Sequence, residues 1–189
     1  GEAVCEFAPL DLDCAALGTV CLDGACVGID TTPTEGSVIF NEFLLAPTKS
    51  PQGLGTWLEV MNASAGWVDL SGCVLEASGG SATTLSPGAP IWLAPGATSL
   101  MAASATPTQN GGLQPDIVLP TSFALPSEAA TLSLTCQEVL IDAVTYAMTP
   151  WGGQSGLAWQ LDPESTDASA NDASSAWCFA IAPYGKGDF

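Results

Sequence analysis

Histidine and arginine are both absent, and the only basic side chains are Lys49 and Lys186, against 20 Asp and Glu. Without imidazole, Ser-His-Asp and Cys-His catalysis, His-ligated metals and the usual general base near neutral pH are all removed. Lys49 lies in a Pro-Thr-Lys-Ser-Pro loop and Lys186 in a Gly-rich terminus, and neither setting desolvates an amine enough to make it a base. Glu42 and Glu59 lie on expected strands that could be neighbours, and paired carboxylates about 5 to 9 Å apart can hydrolyse a glycoside. A strand Glu at the end of a sandwich more often satisfies backbone groups. The expectation is therefore a chain with no catalytic residues that is not an enzyme.

The remaining chemistry is that of binding. Calcium takes carboxylate and carbonyl oxygens, and Asp162, Glu164, Asp167 and Asp172, with Asn171 beside them, fall in one Ala- and Ser-rich stretch. They lack EF-hand spacing and acidic loops of this kind are usually solvated, so no cofactor is expected, calcium being the one candidate ion. Aromatic rings can stack on neutral glycans. Of the six tryptophans, Trp57, Trp92, Trp159 and Trp177 fall in expected strands, whereas Trp151 sits between Pro150 and Gly152-Gly153 and is expected to be the exposed ring. Asn62-Ala63-Ser64 is a formal glycosylation sequon.

The formal charge of −18 repels polyanions, which makes nucleic acid and anionic lipid poor partners. No apolar run reaches the roughly 20 residues of a membrane-spanning helix, so no membrane insertion is expected. The opening Gly1-Glu2-Ala3-Val4 has neither a basic nor an apolar leader region, so any secretory leader would already have been removed.

The seven cysteines point to an oxidising compartment, hence a secreted, extracellular or cell-surface protein. Zinc is the rival reading for Cys5, Cys14, Cys21 and Cys26, but they form no CxxC knuckle and there is no histidine. Residues 1–30 are too short to bury a core unaided and are expected to be stapled by disulfides among these four. Three pairings are possible. Residues 31–36, Thr31-Thr32-Pro33-Thr34-Glu35-Gly36, read as a linker.

Residues 37–189 suffice for one domain. Short β-branched and aromatic runs recur there between turn residues: 38–44, 57–61, 73–75, 91–93, 98–101, 131–136, 139–146, 157–161 and 177–180. In Thr131 to Cys136 the alternation puts Leu132, Leu134 and Cys136 on one face. About nine strands with no long helical period predict an all-β sandwich. Cys136 faces inward by that alternation and Cys73 shares a face with Leu75, so these two cysteines are expected to pair, leaving Cys178 for a partner elsewhere.

Read in order, residues 37–189 resemble the lamin-tail family. The resemblance rests on Val38-Ile39-Phe40-Asn41-Glu42, the W-x-E-x-x-N strand Trp57 to Asn62, the corner Val68-Asp69-Leu70-Ser71-Gly72 and the turn Leu93-Ala94-Pro95-Gly96. Asn110-Gly111-Gly112, Leu140 to Tyr146, Gly153-Gln154-Ser155-Gly156 and Trp177-Cys178 resemble its secreted bacterial branch. Cys73 departs from the family, which often has an aromatic residue there. The resemblance implies an immunoglobulin-like β-sandwich. In secreted relatives the Tyr184 to Asp188 stretch runs on to a further cysteine, which would supply a partner for Cys178.

Fold does not give function. With 47% hydrophobic and only 12% charged residues and a mean hydropathy of +0.33, part of the exterior must be uncharged, and apolar patches mark interfaces. The functional expectation is an extracellular structural or adhesive protein, a subunit of a surface filament or other self-assembly. It would contact copies of itself or another extracellular protein. The alternative is an accessory domain for a neutral glycan or a calcium-dependent contact.

Overall fold

The computed structural model describes residues 19–22, 25–30, 33–51, 53–79, 81–86 and 90–182. The chain is an all-β sandwich. The first strands, β1 (Thr19–Leu22) and β2 (Ala25–Asp30), form a hairpin in which Cys21 stands directly opposite Cys26. Cys26 is disulfide-bonded. Cys5, Cys14 and the side chain of Cys21 lie outside the described residues, and with them the expected pairing of this segment.

Strands β3 (Val38–Leu44), β4 (Trp57–Asn62), β5 (Trp67–Asp69), β6 (Val74–Ala77), β7 (Ser81–Thr84), β8 (Trp92–Leu93) and β9 (Thr98–Ala102) follow. After a single helical turn, α1 (Pro107–Asn110), come β10 (Ile117–Val118), β11 (Ala129–Cys136), β12 (Val139–Ala147), β13 (Trp159–Leu161) and β14 (Trp177–Phe179). Among the described residues no helix is long and apolar enough to cross a membrane.

The strands form three sheets, in the orders β1-β2-β5-β8, β10-β9-β4-β3-β13-β14 and β12-β11-β6-β7. Strand β2 runs parallel to β5, with Ile29 opposite Trp67 and Asp30 opposite Val68. Beyond it, Pro33 is buried and the Gly36 N–H donates to Ile141 O, so the described end of the expected linker is held against β12.

Alternation along β11 buries Ala130, Leu132, Leu134 and Cys136, which face Phe40, Phe43, Leu58 and Val60 of the six-stranded sheet in one core. Cys73 and Cys136, both 1% exposed in that core, are joined by a disulfide with Cα atoms 4.2 Å apart. This is the pairing expected from the sequence. A two-residue turn, Gln137-Glu138, joins β11 to β12 with both φ angles positive, the hand that matches strand twist in a hairpin.

Several motif residues sit at joints of the backbone. Asp69 accepts the N–H groups of Ser71 and Ile91 at 2.9 and 2.8 Å, which ties the corner after β5 to the start of β8. Asn62, fully buried, donates to Gly66 O and Leu93 O and accepts from Ser64. Its amide is used up by the fold, so a glycan at the sequon cannot coexist with this packing. Gly72 and Gly96 hold φ of 77° and 70° in the turns that follow, a conformation only glycine adopts without strain.

Candidate functional site

The outer face of the six-stranded sheet carries a polar row. Glu59 is opposite Glu42, Gln160 is opposite Glu42, and Cys178 is opposite Gln160. Residues directly opposite share a face, so these four cross the sheet from β4 to its edge at β14. Leu100 extends the row on β9. It belongs to a second apolar cluster with Leu44, Trp57, Ala102, Leu113, Ala158 and Ala180.

Glu42 and Glu59 are thus brought together, as the strand pairing allowed, but they are only 6% and 4% exposed. Asn41, at a bulge in β3, donates to Glu59 Oε1 at 2.6 Å. Burial first, and the neighbouring Glu59 charge second, push the Glu42 carboxyl up to about 7. A raised acid beside a second carboxylate is the electronic pattern of a glycosidase. Here the burial denies a sugar ring access, and the pair sits where it can hold a proton inside the fold.

A second acid, Asp142, was not singled out in the sequence. It lies on β12 with the parity of Val144 and Tyr146, directly opposite Leu134, and is 3% exposed. Its Oδ2 accepts the Phe40 N–H and Asn171 Nδ2, both at 2.8 Å. Asn171 is itself fully buried, and its main-chain carbonyl accepts Trp177 Nε1 at 2.7 Å. Burial pushes the Asp142 carboxyl up to about 6; donation from Phe40, Asn171 and the nearby Ala143 N–H opposes the shift, and the Asp172 charge adds to it. Asp142 Oδ1 and Asn171 Oδ1 are buried without a hydrogen-bond partner.

Of the expected calcium ligands, Asp162, Glu164, Asp167 and Asp172 are all exposed. Asp162 Oδ1 accepts the Glu164 N–H, and Asp167 Oδ1 accepts those of Ser169 and Ala170. Two of the four carboxylates are therefore turned onto their own loop. Among the described residues no three His, Cys, Asp or Glu are gathered to hold a metal ion.

Trp151 is half-buried rather than fully exposed. Its ring stands edge-to-face on Trp159 at 5.5 Å and lies 6.0 Å from Trp177, which makes it the rim of the core's aromatic cluster. Packing against two buried indoles outweighs the Gly-rich turn that pointed outward. Trp57, Trp159 and Trp177 are core residues. Trp92 instead lines an open groove of about 530 Å³ with Ile91, Asp116, Ile117 and Val118, between strands that end two different sheets. Cys178 is free and exposed, its thiol 3.6 Å from Gln160 O.

No family model, no curated protein and no solved structure matches this chain.

Proposed function

We propose that this chain is an extracellular structural module that assembles with copies of itself through the two edges of its six-stranded sheet. The observation that carries the reading is that the two edges are unlike and each bears an exposed apolar residue. At one end is β10, whose Val118 is 53% exposed; at the other is β14, followed by Ile181 at 93%. Unpaired backbone at a sheet edge accepts a strand from a neighbour. Contact between unlike edges is head-to-tail and builds a filament where it does not close into a ring. The lamin-tail reading of residues 37–189 and a secreted location belong to the same proposal. They are supported by the motif residues Asn62, Asp69 and Gly96 lying at backbone joints, and by a disulfide within the core.

A net charge of −18 opposes self-association until salt screens it. The test is sedimentation and electron microscopy of the concentrated protein at high ionic strength. Polymers that are lost on Val118→Lys or Ile181→Lys are the expected result, and a monodisperse monomer under all conditions overturns the reading.

A second reading, a weak site for a neutral glycan, is favoured by the groove at Trp92. It offers an indole, apolar neighbours and the Asp116 carboxylate, whose Oδ2 is already engaged by the Leu100 N–H. Such a mix of ring and few polar groups suits an uncharged ligand. Binding of a neutral glycan that disappears in Trp92→Ala and persists in Trp151→Ala is expected under this reading.

A further inference from the structure

The groove at Trp92 lies between two different sheets. Trp92 is on β8, the last strand of one sheet, and Ile117 and Val118 are on β10, the edge strand of the six-stranded sheet. Ile91, Trp92, Ile117 and Val118 give it an apolar lining, and among the described residues Asp116 is the only charged one that lines it. Apolar side chains scattered singly over a surface are ordinary, but a set gathered around a concavity marks an interface or a ligand site.

At the opposite end of the same sheet, Ile181 stands two residues beyond β14 and is the most exposed large apolar residue described. Charge is sparse at both places. Between Ala77 and Ser127 the one charged residue is Asp116, and between Ala173 and Gly185 there is none. The first charge after Ile181 is Lys186, one of only two cations in a chain of net charge −18. The two stretches can therefore approach with little repulsion, and the one cation nearby is opposite in sign to the Asp116 carboxylate. Ile181 cannot fill the groove of its own chain. Five strand-to-strand steps separate β14 from β10, which at about 4.8 Å each is roughly 24 Å.

We propose that Ile181 of one copy seats in the groove lined by Trp92, Ile117 and Val118 of a second copy. This contact rests on the head-to-tail assembly proposed above and names what fills it. A knob beyond β14 and a groove at β10 join unlike edges, so each added copy keeps a free knob or a free groove and the chain of copies can grow. The contact also brings β8, a strand of another sheet, into the interface, which pairing between the two edges of the six-stranded sheet does not require. Tryptophan in the middle of a contact is the residue type that most often carries its binding energy.

The test uses the whole protein at high ionic strength, with assembly followed by sedimentation. Trp92→Ala and Ile181→Lys should each raise the concentration for half-assembly by about tenfold or more. Leu140→Lys, at an exposed apolar position on β12, should leave it within about twofold. An equal mixture of Trp92→Ala and Ile181→Lys should form a dimer that does not grow, because the first retains the knob and the second the groove. If Trp92→Ala does not fold, two Cys178→Ser proteins replace it, one with Ile181→Cys and the other with Val118→Cys. Mixed under mild oxidation they should form a disulfide that neither forms alone, since a bridge requires Cα atoms within about 7 Å. Polymers that are lost in Val118→Lys but unchanged in Trp92→Ala, or no disulfide in the cysteine mixture while the wild type polymerises, overturn the knob and groove and leave edge-to-edge assembly standing. A wild type that stays monomeric under all conditions overturns both. A neutral glycan that occupies the groove while polymers persist assigns the groove to a sugar and also overturns the proposal.

Discussion

On the outer face of the six-stranded sheet, Glu42 is buried opposite Glu59. On the inner face, Asp142 is buried against β3 and takes the N–H of Phe40 and the amide of Asn171. Desolvation is the first cause of the upward pKa shift in both. The second cause differs in sign: a like charge adds to it for Glu42, and hydrogen-bond donors oppose it for Asp142. The outer acid is thus stabilised by its proton, and the inner one by partners that an anion attracts. The cysteines divide in the same way, with a disulfide inside and the free thiol of Cys178 outside. The difference teaches that the inner face is fixed by specific bonds, while the outer face is held by apolar cover and carries groups that can still react or titrate.

The largest expected effect breaks the inner face. The Cys73–Cys136 bridge spans a sequence separation of 63, and closing a loop of that size removes about 4 kcal/mol of unfolded-state entropy. The double variant Cys73→Ala, Cys136→Ala should lose stability of that order in denaturant unfolding, with cavity costs added because both side chains are buried. A loss below about 1 kcal/mol would mean that β6 and β11 are held together by strand pairing and packing alone.

The second effect titrates the outer face. Glu42 binds its proton more tightly in the folded chain, about 7 against 4.5, so the native state carries more protons than the unfolded state between those values. Its contribution is therefore fully present below about pH 4.5 and is lost as pH rises to about 7, by at most roughly 3 kcal/mol. Glu42→Gln should flatten that part of the curve and stabilise the protein above pH 7. Asp142, raised from 3.8 to about 6, loses its share between those values by the same sign, so a residual slope at lower pH should survive in Glu42→Gln.

The third effect sharpens the contrast through a change of sign. Asp142→Leu also removes a buried acid, yet it leaves the Phe40 and Asn171 N–H groups, which both donate to Oδ2, without an acceptor. It should destabilise by about 1–3 kcal/mol at the pH where Glu42→Gln stabilises. Stabilisation by both variants would show that desolvation governs both sites and that the donors around Asp142 contribute little.

Much of the inner face was legible in the sequence. The alternation of Leu132, Leu134 and Cys136 gave the face of β11 and, with Cys73 beside Leu75, the disulfide. Strands β5 and β7 were not legible. Trp67-Val68-Asp69 is too short to show a period, and Ser81-Ala82-Thr83-Thr84 has no apolar side; pairing with β8 and β6 makes them strands. Asp142 did leave a signal, an acid sharing parity with Val144 and Tyr146. Its partner Asn171 lies 29 positions away, and nothing local announces the contact. The acidic loop misled because composition counts carboxylates, whereas Asp162 and Asp167 spend theirs on neighbouring backbone N–H groups. Trp151 misled because its turn is Gly-rich but lies over Trp159 and Trp177.

The smallest effect on stability is expected at Cys178, the far end of the polar row. Its thiol is exposed and lies 3.6 Å from Gln160 O, a sulfur donor to a carbonyl. Such a bond is weak, so Cys178→Ser should change unfolding free energy by no more than about 0.5 kcal/mol. Its chemistry should nonetheless be the easiest to detect. In the folded protein an aromatic disulfide reagent should modify Cys178 quickly, while Cys73 and Cys136, oxidised and 1% exposed, stay silent until the chain is both reduced and unfolded. Because β14 ends its sheet, its thiol can meet the Cys178 of a second copy only where two β14 edges pack together. Contact between the unlike edges β14 and β10 keeps the two thiols apart, so under mild oxidation at high salt the wild type should form no covalent dimer through Cys178. A dimer that forms in the wild type and not in Cys178→Ser would place two copies of β14 together, a closed two-fold contact that ends growth at the dimer and removes the filament.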